Sequence, residues 1–383
     1  MPVSGVPCPT SYFANCEVVN PVRRFRYTSP MPIDPLRPPL LTPDIAGVGG
    51  RIKVRAEDFE VEEVPSYEPS GTGDHLYLWV QKTGVGPEYL ARMIADRLGV
   101  PVGAVATAGL KDRHAVTRQW VSVPGDVEDR LPKINGGGIE LLKFSRHTNK
   151  LKPGHLRGNT FRILIRDADR TKAAALAAVL DRIRTLGLPN YYGPQRFGRG
   201  GGNVDLGFRC LAGTQPKRLR PFVYKFALSA VQSVLFNHYL GERMADGLFR
   251  TVLPGDVMMK WPFGGLFVAE DVPAEQFRFD ARETVPGGPM FGRRTFATTG
   301  AAAEREARIL AAHNLTPAAF DGFGKLMGGT RRHNLIYLDD LTADWEPVGL
   351  RLAFTLPSGC YATVLLREVM KAEADGEDEP QEE

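Results

Sequence analysis

The stretch from Gly109 to Gln119 reads Gly-Leu-Lys-Asp-Arg-His-Ala-Val-Thr-Arg-Gln and sets one carboxylate, Asp112, between Lys111 and Arg113. Flanking positive charge lowers a carboxyl pKa and keeps the group ionised at neutral pH, the state that a nucleophile or a base requires. The same composition also describes a charged surface turn, and local charge pairs separate the two readings weakly. A second stretch, Pro189 to Gly198, gathers the rings of Tyr191, Tyr192 and Phe197 around Asn190, Gln195 and Arg196. Flat rings stack on a base that has left its helix, and an asparagine amide matches the N3–H and carbonyl edge of uracil. An aromatic loop serves equally well as a core anchor. Between Lys143 and Arg166 lie seven Lys or Arg and no carboxylate. Lys150, Lys152 and Arg157 in that run could track phosphates, or the run could be a solvated basic loop.

Other chemistries find no support. Cys8, Cys16, Cys210 and Cys360 are scattered without CxxC pairing or histidines at metal-ligand spacing, which indicates neither a metal site nor a disulfide framework and fits a reducing cytoplasm. None of the seven histidines forms a triad with a serine or cysteine, so each reads as structural or as a surface residue. The glycines at 198 and 200–202 lack the strand-to-helix context of a dinucleotide loop, and no nucleotide cofactor is assigned.

These residues must be positioned by a folded body, and 383 residues with 43% apolar content suffice for two compact units. Alternation around Phe59 and Val61 predicts a strand over Ile52 to Val64, with His75 to Gln81 as its partner. Pro87 opens a helix whose stripe is Leu90, Met93, Ile94 and Leu98, closed by Gly99. Further strands are expected at Gln119 to Val123, Gly138 to Phe144 and Phe161 to Arg166, and a helix at Lys172 to Leu186. Near Gln215 a second region begins, with a long apolar helix at Phe222 to Met244, Gly- and Pro-rich strand-poor sequence, and a helix around Glu304 to His313. Strand-like Leu350 to Phe354 and Ala362 to Leu366 then return to the first sheet. The pattern predicts an α+β fold.

The ends read differently. Residues 1–43 hold ten of the thirty prolines without periodicity, so residues 1–45 are expected to form a disordered extension, and removal of residues 1–43 is expected to leave activity nearly intact. The tail from residue 371 carries one lysine against seven carboxylates, a local balance of −6 that leaves +10 for the rest of the chain. Residues 372–383 are expected to be a solvated acidic tail, and the basic body suits a polyanionic partner. There is no apolar leader and no run of about 18 apolar residues, so neither export nor membrane insertion is expected.

Read together, the two chemical stretches resemble the TruD family of tRNA pseudouridine synthases, with its GxKDxxAxTxQ stretch and its later N-aromatic-aromatic-GxQRFG stretch. The resemblance extends to Lys53 through Phe59 with Glu62, to Gly71, Gly73 and His75, and to the run from Arg146 to Asn159. It continues through Ser229, Leu235-Phe236-Asn237 and Leu356 to Thr363, covering roughly residues 46–370. It implies Asp112 as the catalytic carboxylate, Lys53 as its ion-pair partner, and a uridine pocket lined by Phe59, Asn190, Tyr192 and Tyr361. Tyr192 stands where phenylalanine is more usual. The implied fold is a pseudouridine-synthase-like mixed, largely antiparallel sheet with flanking helices, formed by residues 46–215 and 336–371, with an inserted α+β domain over 216–335. The implied reaction isomerises a uridine, that at tRNA position thirteen, by flipping it from its stack. An isomerisation calls for no redox or energy cofactor. The expected partner is tRNA, with no membrane, no obligate protein partner and a monomeric state. A chain lacking the carboxylate at 112 would instead be a silent RNA-binding protein, but Asp112 is present.

Overall fold

The computed structural model describes residues 33–216 and 218–372. Its first half builds six strands and two helices. These are β1 (Phe59–Pro65), β2 (His75–Thr83), α1 (Pro87–Leu98), β3 (Ala106–Thr107), β4 (Val116–Pro124), β5 (Ile139–His147), β6 (Leu156–Arg166) and α2 (Ala173–Leu186). The sequence reading of α1 matches in detail: Pro87 is the first helical residue, and Gly99 ends the helix at φ 65°, a left-handed conformation glycine adopts without cost. A short strand β7 (Leu188–Pro189) and a helix α3 (Gly202–Leu211) precede the long apolar helix α4 (Pro221–Ala245). Then follow β8 (Val257–Lys260), β9 (Leu266–Val268), α5 (Val272–Asp280), β10 (Thr284–Met290), α6 (Gly300–Ala312), β11 (Thr330–His333) and β12 (Leu335–Ile336). The chain closes with β13 (Thr342–Glu346), β14 (Gly349–Pro357) and α7 (Ala362–Met370).

Seven strands run in the order β13-β14-β6-β1-β4-β2-β5, and β3 adds to β4. All neighbours are antiparallel except β1 and β4, which are parallel with Glu60 opposite Val116. That parallel pair puts the segment before β1 and the loop before β4 at the same edge of the sheet. One core lies where β1, β6 and β14 meet α2 and α7, among them Ile163, Val179, Ile183, Leu352 and Leu365. Another lies under α1, among Leu76, Leu78, Leu90, Ile94 and Val121. A third gathers around α4, which packs against α3 and β10. Gly207 lets α3 approach, because a Cβ there would collide with the Ala227 carbonyl.

Several expectations need correction. Residues 52–58 form no strand: they make a loop in which Lys53 sits at φ 56°, and a single turn Ala56–Asp58 leads into β1. Ala362 to Leu366 is the start of α7, not a strand. Its buried residues Ala362, Leu365, Leu366, Val369 and Met370 follow helical spacing that a five-residue apolar window cannot reveal. The region read as strand-poor contains a four-stranded sheet, order β11-β10-β8-β9. Its central strand β10 reads Thr-Val-Pro-Gly-Gly-Pro-Met and is buried throughout. Prolines are normally confined to edges because they remove a ladder donor, so local propensity points away from a strand here. Packing decides the matter: a Cβ on Gly288 would meet the rings of Phe236 and Tyr239 on α4, which bare glycine backbone can approach.

The extension expected over residues 1–45 is corrected in its last part. Residues 1–32 lie outside the described residues, but 33–45 pack against the body. The buried carboxylate of Glu368 on α7 accepts the Leu41 amide at 2.6 Å, the Thr42 amide at 3.2 Å and the Thr42 hydroxyl at 2.7 Å. Proline richness hid this anchor, because a non-periodic segment can still offer its amides to a buried acid. The tail beyond residue 372 also lies outside the described residues.

Candidate active site

A cavity of about 180 Å³ opens at the sheet edge where the loops before β1 and β4 meet. Its walls include Lys53, Phe59, Leu110, Asp112, Asn159, Phe161, Gln195 and Tyr361. Lys53 and Asp112 are far apart in the chain, and the parallel pairing of β1 and β4 brings them together: Lys53 Nζ donates to Asp112 Oδ2 at 2.9 Å. The Asp112 side chain is 45% exposed, so this pair contributes little to stability and acts by orienting the carboxylate. Lys53 also lies over the Phe59 ring at 4.6 Å, a cation–π contact. Its left-handed backbone costs a non-glycine residue on the order of 1 kcal/mol. Such a conformation persists where the surroundings hold it, here through Asp58. That buried carboxylate takes two hydrogen bonds from Arg166, at 2.7 and 2.8 Å, and the Arg55 amide at 2.8 Å, and Arg166 holds its pKa below the usual range. The turn Ala56–Asp58 is thereby fixed, and Phe59 with it. Phe59 meets Phe161 edge to face at 6.2 Å.

Lys111, next to Asp112 in sequence, turns away from that carboxylate and inward, where Nζ donates to Asn159 Oδ1 at 2.7 Å and pairs with Glu63 Oε2 at 3.2 Å. Both members of this pair are buried. Desolvation raises the Glu63 pKa and lowers that of Lys111, and the opposite charge of each works against the shift in the other. The pair anchors the loop from below. A second buried lysine anchors it from the side: Lys82 of β2, fully buried, donates to the carbonyls of Asp112 at 2.6 Å, Lys111 at 3.3 Å and Val85 at 2.6 Å. Sequence reasoning passed over Lys82 and Glu63 because a charged residue inside a strand reads as surface. Their signal was their position on alternating strands whose neighbours on the same face are apolar.

The Asn190 and Tyr192 side chains are not among the cavity walls. The Asn190 amide is committed to protein: Nδ2 donates to the His333 carbonyl at 3.0 Å and Oδ1 accepts from Arg332 at 2.6 Å. Tyr192 stands behind Tyr361, ring centroids 5.6 Å apart and edge to face, with its hydroxyl directed at Met290 Sδ at 3.5 Å. Tyr192 is not among the residues that line the cavity. Tyr361 itself caps α7 and forms part of the wall, and burial raises its phenol pKa. The basic run lies beside the site, since the Gly154 amide donates to the Ala108 carbonyl at 2.8 Å. Lys152 and Arg157 are exposed, while the Lys150 ammonium donates to the Gly103 carbonyl at 2.6 Å. His147 and His155 make a structural cluster with Tyr67, whose hydroxyl lies 2.6 Å from His155 Nδ1 and whose ring stacks on His147.

Among the described residues, no group of three His, Cys, Asp or Glu could hold a metal ion, and no helix is long and apolar enough to cross a membrane. The family description tRNA pseudouridine synthase D (TruD) matches residues 39–207 and 216–369. The tRNA pseudouridine synthase D of an Anaeromyxobacter species is 43% identical over 342 residues, covering 88% of this chain and 97% of its own. That of Thermus thermophilus is 44% identical over 341 residues, covering 89% and 94%. Among solved structures, the putative tRNA pseudouridine synthase D from Methanosarcina mazei aligns with a TM-score of 0.74 at 22% identity. It covers 90% of this chain and 99% of that one, a likeness of fold.

Proposed function

The chain belongs to the tRNA pseudouridine synthase D family, and from that membership we propose that Asp112 is the carboxylate with which it isomerises uridine 13 of tRNA. The observation that carries this reading is the Lys53–Asp112 ion pair at 2.9 Å on the wall of a cavity also lined by Phe59, Phe161 and Tyr361. The target uridine leaves its stack at a cost of a few kcal/mol, and aromatic contact in the cavity offsets it. Phe59 and Tyr361 supply apolar ring surface for the base. Lys53 aims the carboxylate, while Lys82 and the Lys111–Glu63 pair fix the loop that carries it. The N1–C1′ bond breaks, the freed uracil turns, and C5 bonds to C1′. N1 gains a proton and C5 loses one, so atoms and electrons balance without a redox partner. Asn190 and Tyr192 act by holding the wall that Tyr361 forms.

The test uses tRNA tritiated at uridine C5. Asp112→Asn keeps the side-chain shape and removes the charge, so tritium release should vanish while tRNA retention on filters persists. Release at the wild-type rate would sink the assignment. Pseudouridine mapping in a deletion strain checks the target, because loss at another RNA with position thirteen intact would refute it.

A further inference from the structure

Tyr361 is the inner end of a column of rings and guanidinium groups that reaches the protein surface. Tyr192 stands against Tyr361 at 5.6 Å. The Arg196 guanidinium lies 5.7 Å from the Tyr192 ring and 5.0 Å from that of Phe226. Phe226 stacks on Phe222, centroids 6.0 Å apart and planes within 13° of parallel. Phe222, in the first turn of α4, is 69% exposed.

Two features give this column a ligand class. First, among the described residues its cations are held by neutral groups. Arg196 is held by the hydroxyls of Ser229 and Ser233 on α4, and Arg332, which covers Tyr192 at 4.1 Å, is held by the Asn190 oxygens. Second, from Leu206 to Gly241 the chain carries five Lys or Arg and no carboxylate, and Arg218, Arg220 and Lys225 flank Phe222 in sequence. An exposed flat ring amid such positive charge fits a polyanion with planar groups. Proteins that bind unpaired nucleotides combine these two elements, stacking on the base and charge on the backbone.

We infer that Phe222 is a stacking platform for an unpaired base of the tRNA on the strand flanking the target nucleotide, with Arg218, Arg220 and Lys225 on its phosphates. The inference rests on the cavity being the uridine site, toward which the column leads. Because the column links Phe222 to Tyr361 through Tyr192, Arg196 and Phe226, a strand held at Phe222 is led toward the cavity, and the platform favours the extended conformation in which the target base is already unstacked.

The experiment measures binding of unmodified tRNA transcript to Phe222→Ala, Phe222→Tyr, Phe222→Leu and, as a control, Phe277→Ala on α5, whose ring is 74% exposed. Base stacking on an aromatic predicts a loss of affinity between about fivefold and about a hundredfold for Phe222→Ala, with KM rising in step. Phe222→Tyr should restore binding, and Phe222→Leu, apolar without a π face, should not. Thermal midpoints should stay at the wild-type value, as for surface substitutions generally. Unchanged affinity in Phe222→Ala, full recovery by leucine, or an equal loss in Phe277→Ala would each overturn the platform. Binding is read without turnover, so a wild-type enzyme that binds tRNA but leaves uridine 13 unmodified would count against the proposed function alone.

Discussion

Replacing Lys82 by methionine separates the positioning of Asp112 from the chemistry proposed for it. The substitution keeps the apolar stem in a fully buried site and removes the ammonium that donates to the carbonyls of Val85, Lys111 and Asp112. Hydrogen bonds from a charged donor contribute roughly 1.5–3 kcal/mol each, so the two bonds at 2.6 Å represent about 3–6 kcal/mol, and the 3.3 Å contact adds little. Burying an ammonium costs several kcal/mol, which the variant recovers. The net loss of folding stability is therefore about 1–3 kcal/mol. A domain with about 5–15 kcal/mol to lose stays folded in more than nine molecules out of ten. The loop is affected far more, since the Asp112 backbone loses its short tether, and displacement of about 1 Å costs about a hundredfold in rate. Tritium release by Lys82→Met should fall by about ten- to a hundredfold, while filter retention of tRNA stays at the wild-type level. A folded variant with wild-type turnover would refute the reasoning, and so would a rate loss matched by an equal loss of binding.

Three further outcomes are expected. A chain beginning at residue 44 removes the three donors that Glu368 holds, so it should lose about 3 kcal/mol or more and yield less soluble protein; an unchanged thermal midpoint would show the anchor to be dispensable. Neutralising Lys150, Lys152 and Arg157 together should weaken tRNA binding and flatten its salt dependence, because fewer counterions are released, and an unaltered slope would assign the run to solvent. His313, buried against His238 at 2.9 Å, has its pKa pushed down to about 3 by desolvation, below the ordinary 6.5. Between those values the unfolded chain binds a proton that the folded one refuses. Its contribution is therefore complete above about pH 6.5 and falls as pH drops toward 3, by up to about 1.4 kcal/mol per pH unit. Thermal midpoints from about pH 7 to about pH 4.5 should decline less steeply in His313→Gln than in wild type, and parallel slopes would contradict this.

Local pattern settled what local physics controls. Pro87 and Gly99 bound α1 where the sequence says, because a fixed φ and a left-handed cap act within one turn. The apolar spacing of α2 and α4 likewise marks their cores. The stretches that hold Asp112 and Tyr361 are distinctive in sequence, and the fold brings both residues to one cavity. Local sequence could not say which cation meets Asp112. Lys111, its neighbour in the chain, is spent on Glu63 and Asn159, and Lys53, distant in sequence, pairs with the carboxylate. The parallel pairing of β1 and β4 decides this, by bringing to one sheet edge two loops that no periodicity links. The same holds for Lys82, a buried lysine whose Nζ donates to carbonyls of a distant loop as well as to that of nearby Val85. It holds too for β10, a strand of prolines and glycines that exists because α4 presents rings only bare backbone can approach. Asn190 and Tyr192 are read as pocket walls from the family resemblance and from side-chain type, neither of which shows what the fold sets beside them. Tertiary structure gave their polar groups to Arg332, the His333 carbonyl and Met290, because a buried amide or hydroxyl is satisfied by whatever the fold sets beside it.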